Sequence, residues 1–221
     1  MRWVTFDCYG TLIDWRHGIR TGTELVAPGQ GERLLEAYTR HEPEVQTTKP
    51  VLRYRDVLAE TLRRACAEEK VDLVPDDASI LGETIPYWPP FPDVAAGLAE
   101  LRAAGWRLAL LTNCDRDLVA GALRRLPVPF EAVVTAEEAG AYKPELAHFE
   151  VFRSAYEPEA WVHVAQSYFH DQVPAHRLGL PRVWINRLGH EPEDPSVIQR
   201  VQPDLHGLRA AVEAAYDEAA R

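Results

Sequence analysis

"RWVTFDCYGTLID" fills residues 2–14 of the chain. Its first part, "RWVTF" (2–6), is short, apolar and rich in β-favouring residues, and it reads as a buried strand. Asp7 follows directly. A carboxylate at the end of an apolar strand is costly unless it is paired, solvated or put to chemical use. Asp7 is therefore either a turn residue or an attacking group. Gly10 gives the backbone the freedom that a tight turn just after it needs.

Outward from this stretch, strands alternate with helices. "RLALLT" (107–112), "FEAVVTA" (130–136), "WVHVAQ" (161–166) and "PRVWIN" (181–186) read as further buried strands. Helical periodicity covers 93–104, with Asp93 as N-cap and Gly105 as stop, and then 113–126, 144–156, 171–178 and 204–220. Such alternation predicts an α/β fold, a Rossmann-like parallel sheet with helices on both faces. Ligands of these sheets bind beyond the C-terminal strand ends. Asp7, Thr112, Asn113, Gln166 and Ser167 all follow strands at those ends, and Lys143 lies in the connection after the third strand.

Residues 15–90 break the alternation. "GERLLEAYTRHE" (31–42), "YRDVLAETLRRACAEEK" (54–70) and "DASILGETIPYW" (77–88) read as helices with no clear strand between them. The expectation is an inserted helical cap over 15–90 and an α/β core over 1–14 and 91–221. Its hinges would fall near Asp14 and in "YWPPFPD" (87–93), where three prolines favour a stiff, extended return. The loop 188–203 is polar and Pro-rich and receives no functional assignment.

Bulk properties narrow the class. The chain has 221 residues and a net charge of -10. That charge opposes non-specific binding to nucleic acid or to an anionic membrane, yet a local basic pocket can still take a small anionic substrate. No apolar run approaches the ~20 residues of a membrane span. Cys8, Cys66 and Cys114 are odd in number and form no C-x-x-C pair, so free thiols in a reducing cytoplasm are expected. The N-terminus reads as a strand and not as a secretory leader. The chain leaves its oligomeric state open, with a homodimer as one option.

Four motifs in order, "DCYGTL" (7–12), "LLTN" (110–113), "YKP" (142–144) and "SYFHD" (167–171), are similar to those of the haloacid dehalogenase superfamily of hydrolases. The resemblance spans the whole chain and lies nearest the 2-haloacid dehalogenase branch. It implies that Asp7 attacks substrate to form a covalent ester. It implies that Lys143 neutralises the nucleophile and the bound anion, and that Asp171 positions the lysine and water. Without such a cation, a carboxylate attacking an anion faces like-charge repulsion. Thr11, Thr112, Asn113 and Ser167 become candidate substrate contacts through short polar side chains. Thr112 and Asn113 can equally cap the helix that starts near Asp115. His170 reads more simply as a helix-start residue than as a base.

Tyr9 departs from the phosphatases of the superfamily, which carry there the acid that protonates a leaving oxygen. It stands as a pocket wall or a substrate contact. A halide leaving group needs no proton. Gln166 likewise stands where metal-dependent members carry an aspartate. With only Asp7 and Asp171 to offer a hard cation, the expectation is metal-free chemistry with no cofactor. A Mg²⁺-dependent phosphatase held by those two residues is the alternative, and a non-enzymatic binding protein on the same scaffold is a third reading. Dehalogenases of this branch use a cap arginine in a Trp-Arg pair for the halide. That place falls near Tyr38, where no such pair occurs, and Arg40 is the nearest candidate.

Overall fold

The computed structural model describes residues 1–48 and 51–221. They form two compact units, one made of 1–13, 90–113 and 126–221, the other of 14–89 and 114–125.

The first unit is built on one six-stranded sheet. In chain order its elements are β1 (Arg2–Phe6), β2 (Arg107–Thr112), β3 (Ala132–Thr135), β4 (Ala160–Ala165), β5 (Arg182–Ile185) and β6 (Arg200–Gln202). The spatial order is β3-β2-β1-β4-β5-β6, and every pair is parallel. The chain leaves central β1, builds outward through β2 and β3, then returns to β4 on the other side. The switch point thus lies between the C-terminal ends of β1 and β4, where such sheets bind their ligands.

Alternation along the strands sends Trp3, Ala109, Leu111 and Trp161 to one face. There they pack on Phe149 and Phe152 of a helix at Ala147–Tyr156 and on Ala175 of a short helix at Val173–Arg177. Helices at Val94–Ala103 and Leu208–Ala219 pack on each other and on the other face. The core strands carry no exposed residue beyond Arg2 in β1–β5. That full burial explains why they read as apolar runs.

Among the described residues, the second unit holds five α-helices. In chain order the α-helices of the described residues are α1 (Trp15–Val26), α2 (Gly31–Gln46), α3 (Tyr54–Glu69), α4 (Ile80–Thr84), α5 (Val94–Ala103), α6 (Arg116–Leu123), α7 (Ala136–Ala139), α8 (Ala147–Tyr156), α9 (Val173–Arg177) and α10 (Leu208–Ala219). Of these, α1–α4 and α6 belong to the second unit. The sequence reading kept 114–125 with the core. In the structure the N-cap of α6, Asp115, accepts from the backbone N–H groups of Tyr54 and Arg55 at 3.0 and 3.1 Å, which ties it to the start of α3.

Three elements were not anticipated: helix α1, the short helix α7 that follows β3 from a Thr135–Glu138 capping box, and strand β6. Helix α1 carries Gly18 and Gly22, which disguise it. Packing demands the first, since a Cβ at Gly18 would sit 2.2 Å from the Trp88 ring; one at Gly22 would sit 2.8 Å from the tip of the Leu81 side chain, which would have to shift. Strand β6 is polar and lies at the sheet edge, within a stretch read as loop. The helix expected over 171–178 starts instead as a π-helical turn, Tyr168–Gln172, before α9. Among the described residues, no helix is long and apolar enough to cross a membrane.

Candidate active site

The first unit gathers Asp7, Lys143 and Asp171 from three places in the chain. Asp7 leaves the end of β1, its backbone N–H bonded to the Val164 carbonyl on β4 at 3.2 Å. The turn after it closes through Leu12 and Ile13 N–H groups on the Cys8 carbonyl, with Gly10 at φ +97°. That positive φ is the reason for a glycine there. Asp171 sits in the π-helical turn after β4, a distortion common at functional sites. Lys143 comes from the connection after α7.

The Lys143 ammonium uses its three hydrogens on protein. It donates to Asp7 Oδ1 at 2.9 Å, Asp171 Oδ1 at 2.6 Å and the Leu111 carbonyl at 2.8 Å. Its side chain is 1% exposed. A buried ammonium needs such complete pairing. Thr11 donates to the other Asp7 oxygen, Oδ2, at 3.0 Å, and itself accepts from the Gln166 N–H at 2.9 Å.

The two carboxylates are pushed in opposite directions. Burial lifts the Asp7 pKa above its ordinary value, Lys143 opposes that rise, and the nearby Asp171 charge adds to it. Burial also works against ionised Asp171, but Lys143 and the His163 hydrogen bond outweigh it and hold Asp171 at about 2. Lys143 itself is raised: desolvation would lower it, but both carboxylates overcome that. Environments that separate two acids in this way assign them different roles. Asp171 is thus held ionised, and Asp7 is the more basic of the two carboxylates.

Other residues singled out from sequence are placed as follows. Asn113 spends its amide on the Lys143 backbone, its Oδ1 accepting from the Lys143 N–H at 2.7 Å and its Nδ2 donating to the Lys143 carbonyl at 3.2 Å. Asp115, not Asn113, is the N-cap of α6. Ser167 Oγ accepts from the His170 N–H at 3.0 Å and lies 3.2 Å from His170 Nδ1, so it caps the π-helical turn. His170 is a helix-start residue, and burial lowers its pKa to about 4. Thr112 is buried, and its carbonyl is bonded by His148 Nε2 at 3.1 Å. Tyr9 is half-buried in the turn and bridges Ile13.

Arg40 lies in the second unit. Expected as an anion-binding cap arginine, it is committed instead to Glu68 and Glu69 of α3 and is half exposed. Tyr38, at the place of the family's Trp-Arg pair, is fully buried and donates to Glu42 at 3.2 Å. Tyr54 donates to the same Glu42 oxygen at 3.1 Å. Burial lifts the Glu42 carboxyl above its usual range despite these donors.

His163 escaped the sequence reading. It sits in β4, fully buried, with Nε2 3.0 Å from Asp171 Oδ1 and Nδ1 2.9 Å from Thr5 Oγ1. The signal for it was a lone imidazole inside an apolar strand.

As for a divalent cation, the donor set does not fit. Both inner oxygens, Asp7 Oδ1 and Asp171 Oδ1, face the Lys143 ammonium. Tyr9 and Gln166 add no anionic oxygen. Among the described residues, no cluster of three or more His, Cys, Asp or Glu side chains is arranged to hold a metal.

The profile of the haloacid dehalogenase-like hydrolases matches residues 1–175 of the chain. The chain is similar to haloacetate dehalogenase H-2 of Moraxella sp. (strain B), with 28% identity over 194 residues, 84% of this chain and 86% of that one. It is similar to (S)-2-haloacid dehalogenase of Pseudomonas sp. (strain YL), with 25% identity over 218 residues, 95% of this chain and 92% of that one. The crystal structure of an L-2-haloacid dehalogenase superposes with a TM-score of 0.85 at 26% identity, covering 96% of this chain and 99% of that one.

Proposed function

The chain belongs to the haloacid dehalogenase-like hydrolases, and from its site geometry we propose that it hydrolyses a small 2-haloacid, or a related anionic substrate, through an aspartyl ester. The observation that carries this reading is the single ammonium shared by Asp7 Oδ1 and Asp171 Oδ1. It supplies a fixed positive charge beside a raised, buried carboxylate, which is what attack on an anion requires.

In the first step an Asp7 oxygen attacks C2 of the substrate. The carbon–halogen bond breaks and halide leaves with the bonding pair. Thr11 orients the carboxylate through its hydrogen bond to Oδ2. No proton is needed by the leaving group, in keeping with Tyr9 at the position of an acid. In the second step water attacks the ester carbonyl carbon. The bond from that carbon to the alkyl oxygen breaks, a 2-hydroxy acid departs and Asp7 is restored. Asp171 Oδ2 is buried and has no protein partner, so it is the acceptor available to orient that water. The water's two hydrogens end on the product hydroxyl and in solvent.

Turnover is proposed to need neither metal nor cofactor. The three cysteines, buried and outside any disulfide, support a reducing, cytoplasmic setting.

A single turnover in ¹⁸O-water, followed by peptide mass spectrometry, tests the reading. Label in the peptide that contains Asp7, with unlabelled product, is the expected result. Label in product alone means direct attack by water and overturns the proposal.

A further inference from the structure

Three side chains behind the site form a continuous line of hydrogen bonds that ends on Asp171. Trp161 Nε1 donates to Thr5 Oγ1 at 2.8 Å. Thr5 Oγ1 lies 2.9 Å from His163 Nδ1. His163 Nε2 lies 3.0 Å from Asp171 Oδ1. Thr5 and His163 face each other across the β1–β4 ladder, and Trp161 is two residues before His163 on the same face.

The direction of this line can be worked out from its ends. An indole N–H only donates. Asp171 Oδ1 already accepts from Lys143, so a lone pair on Nε2 would face an anionic oxygen. Nε2 therefore carries the hydrogen and donates. Thr5 Oγ1, already accepting from Trp161, has its own hydrogen left for Nδ1. Every hydrogen runs the same way, from the indole toward the carboxylate.

An imidazole is an expensive choice for this position. His163 is fully buried, flanked in β4 by Val162 and Val164, and packed edge-on against Phe149 with ring centroids 5.0 Å apart. An aliphatic residue would fill a central strand at less cost. Both ring nitrogens are nonetheless engaged, and the line ends on a group of the site and not on backbone.

We infer that His163 is a positioning residue for the hydrolase: Trp161 and Thr5 lock its tautomer, and His163 then holds Asp171 Oδ1 so that Oδ2 stays unpaired for the hydrolytic water. The inference rests on the roles given above to Asp7, Lys143 and Asp171. His163 touches neither substrate nor the attacking oxygen, and it acts through Asp171. Thr5 and Trp161 act through His163. The same wiring reaches Lys143, because the ammonium and the imidazole share one carboxylate oxygen.

The test has two arms on the full chain. The first is long-range ¹H–¹⁵N correlation of the histidine rings, assigned with a His163→Gln control. A hydrogen on Nε2, and loss of that single form in Thr5→Val, are expected. A hydrogen on Nδ1 overturns the inference, and this arm needs no substrate. The second arm compares His163→Leu with His163→Gln, whose amide N–H can stand in for Nε2–H. Removing a hydrogen bond to a charged group should lower kcat roughly 10- to 100-fold in His163→Leu. KM should stay within about twofold, ester should build up on Asp7 by intact mass, and His163→Gln should recover most of the rate. Equal loss in both variants, or a rise in KM alone, overturns it. If no haloacid is turned over by the unaltered enzyme, the substrate reading fails by itself and the ring spectrum still decides the wiring.

Discussion

Asn113 grips the backbone of Lys143 at both ends, accepting from its N–H at 2.7 Å and donating to its carbonyl at 3.2 Å. The two residues are thirty positions apart, so this amide is what fixes the root of the lysine side chain. Asn113→Ala should cost roughly 1–3 kcal/mol of stability, the usual loss when partly buried groups are left unpaired. It should also lower kcat about tenfold or more, because the ammonium loses its aim. Urea denaturation read against initial rates checks both. A variant with native rates would refute the gripping role.

Lys143→Met leaves Asp7 and Asp171 buried without their cation. Breaking a buried pair in this way costs about 3–5 kcal/mol. Turnover should vanish. The stability deficit should shrink on acidification, as Asp7 takes up a proton first and Asp171, held at about 2 in the intact site, loses its reason to stay ionised. Denaturation curves at neutral and mildly acidic pH measure this, and a constant deficit would count against charge as its cause.

Burial lowers the His148 pKa from 6.5 to about 4 in the folded chain. The unfolded chain therefore binds this proton first as pH falls. The stability linked to His148 is fully present above pH 6.5 and is lost progressively as pH drops toward 4. Replacing His148 by Gln should flatten the stability–pH curve in that window by up to ~1.4 kcal/mol per pH unit. His170, also lowered to about 4, should give a similar contribution. Parallel curves for the variant and the unaltered chain would contradict the assignment.

Halide release should survive EDTA treatment unchanged. Activity lost to EDTA and restored by Mg²⁺ would mean that the ammonium between Asp7 and Asp171 does not carry the charge alone.

Gly18→Ala should destabilise the second unit. Its Cβ would meet the Trp88 ring at 2.2–2.5 Å, and overpacking of this kind costs about 1–3 kcal/mol. The gain in helix propensity of α1, about 1 kcal/mol, does not offset a clash with a buried indole. Thermal unfolding measures the sign, and a stabilised variant would show that Trp88 moves aside freely.

The parallel core was legible because its strands are buried on both faces and read as apolar runs between helical periods. Asp7 and Lys143 stood out by their places at or after such runs, and Asp171 through the resemblance of "SYFHD" to the family's motif. What stayed hidden depended on distance along the chain. The bond between Asn113 and Lys143, and the line from Trp161 through Thr5 to His163, join residues that no local pattern connects. Strand β6 was invisible because an edge strand needs no apolar face, and α1 because its glycines answer to Trp88 and Leu81 in other elements. Arg40 was chosen by spacing alone, and spacing does not reveal that Glu68 and Glu69 stand within its reach.

The order in which the sheet is completed sets a schedule for synthesis. Trp3 pairs with Arg107, and on its other side with Trp161. The central strand therefore leaves the ribosome first, while its second neighbour comes about 158 residues later. At about 5–20 residues per second, that is a wait of roughly 8–30 s. Until β2 emerges, about 104 residues after β1, "RWVTF" has neither edge paired, and until β4 emerges one edge stays open. Pairings this distant also make for slow refolding. The segment that ends in Asp7 is thus the one most exposed to aggregation on a nascent chain, and the first to gain from a chaperone that binds short apolar strands.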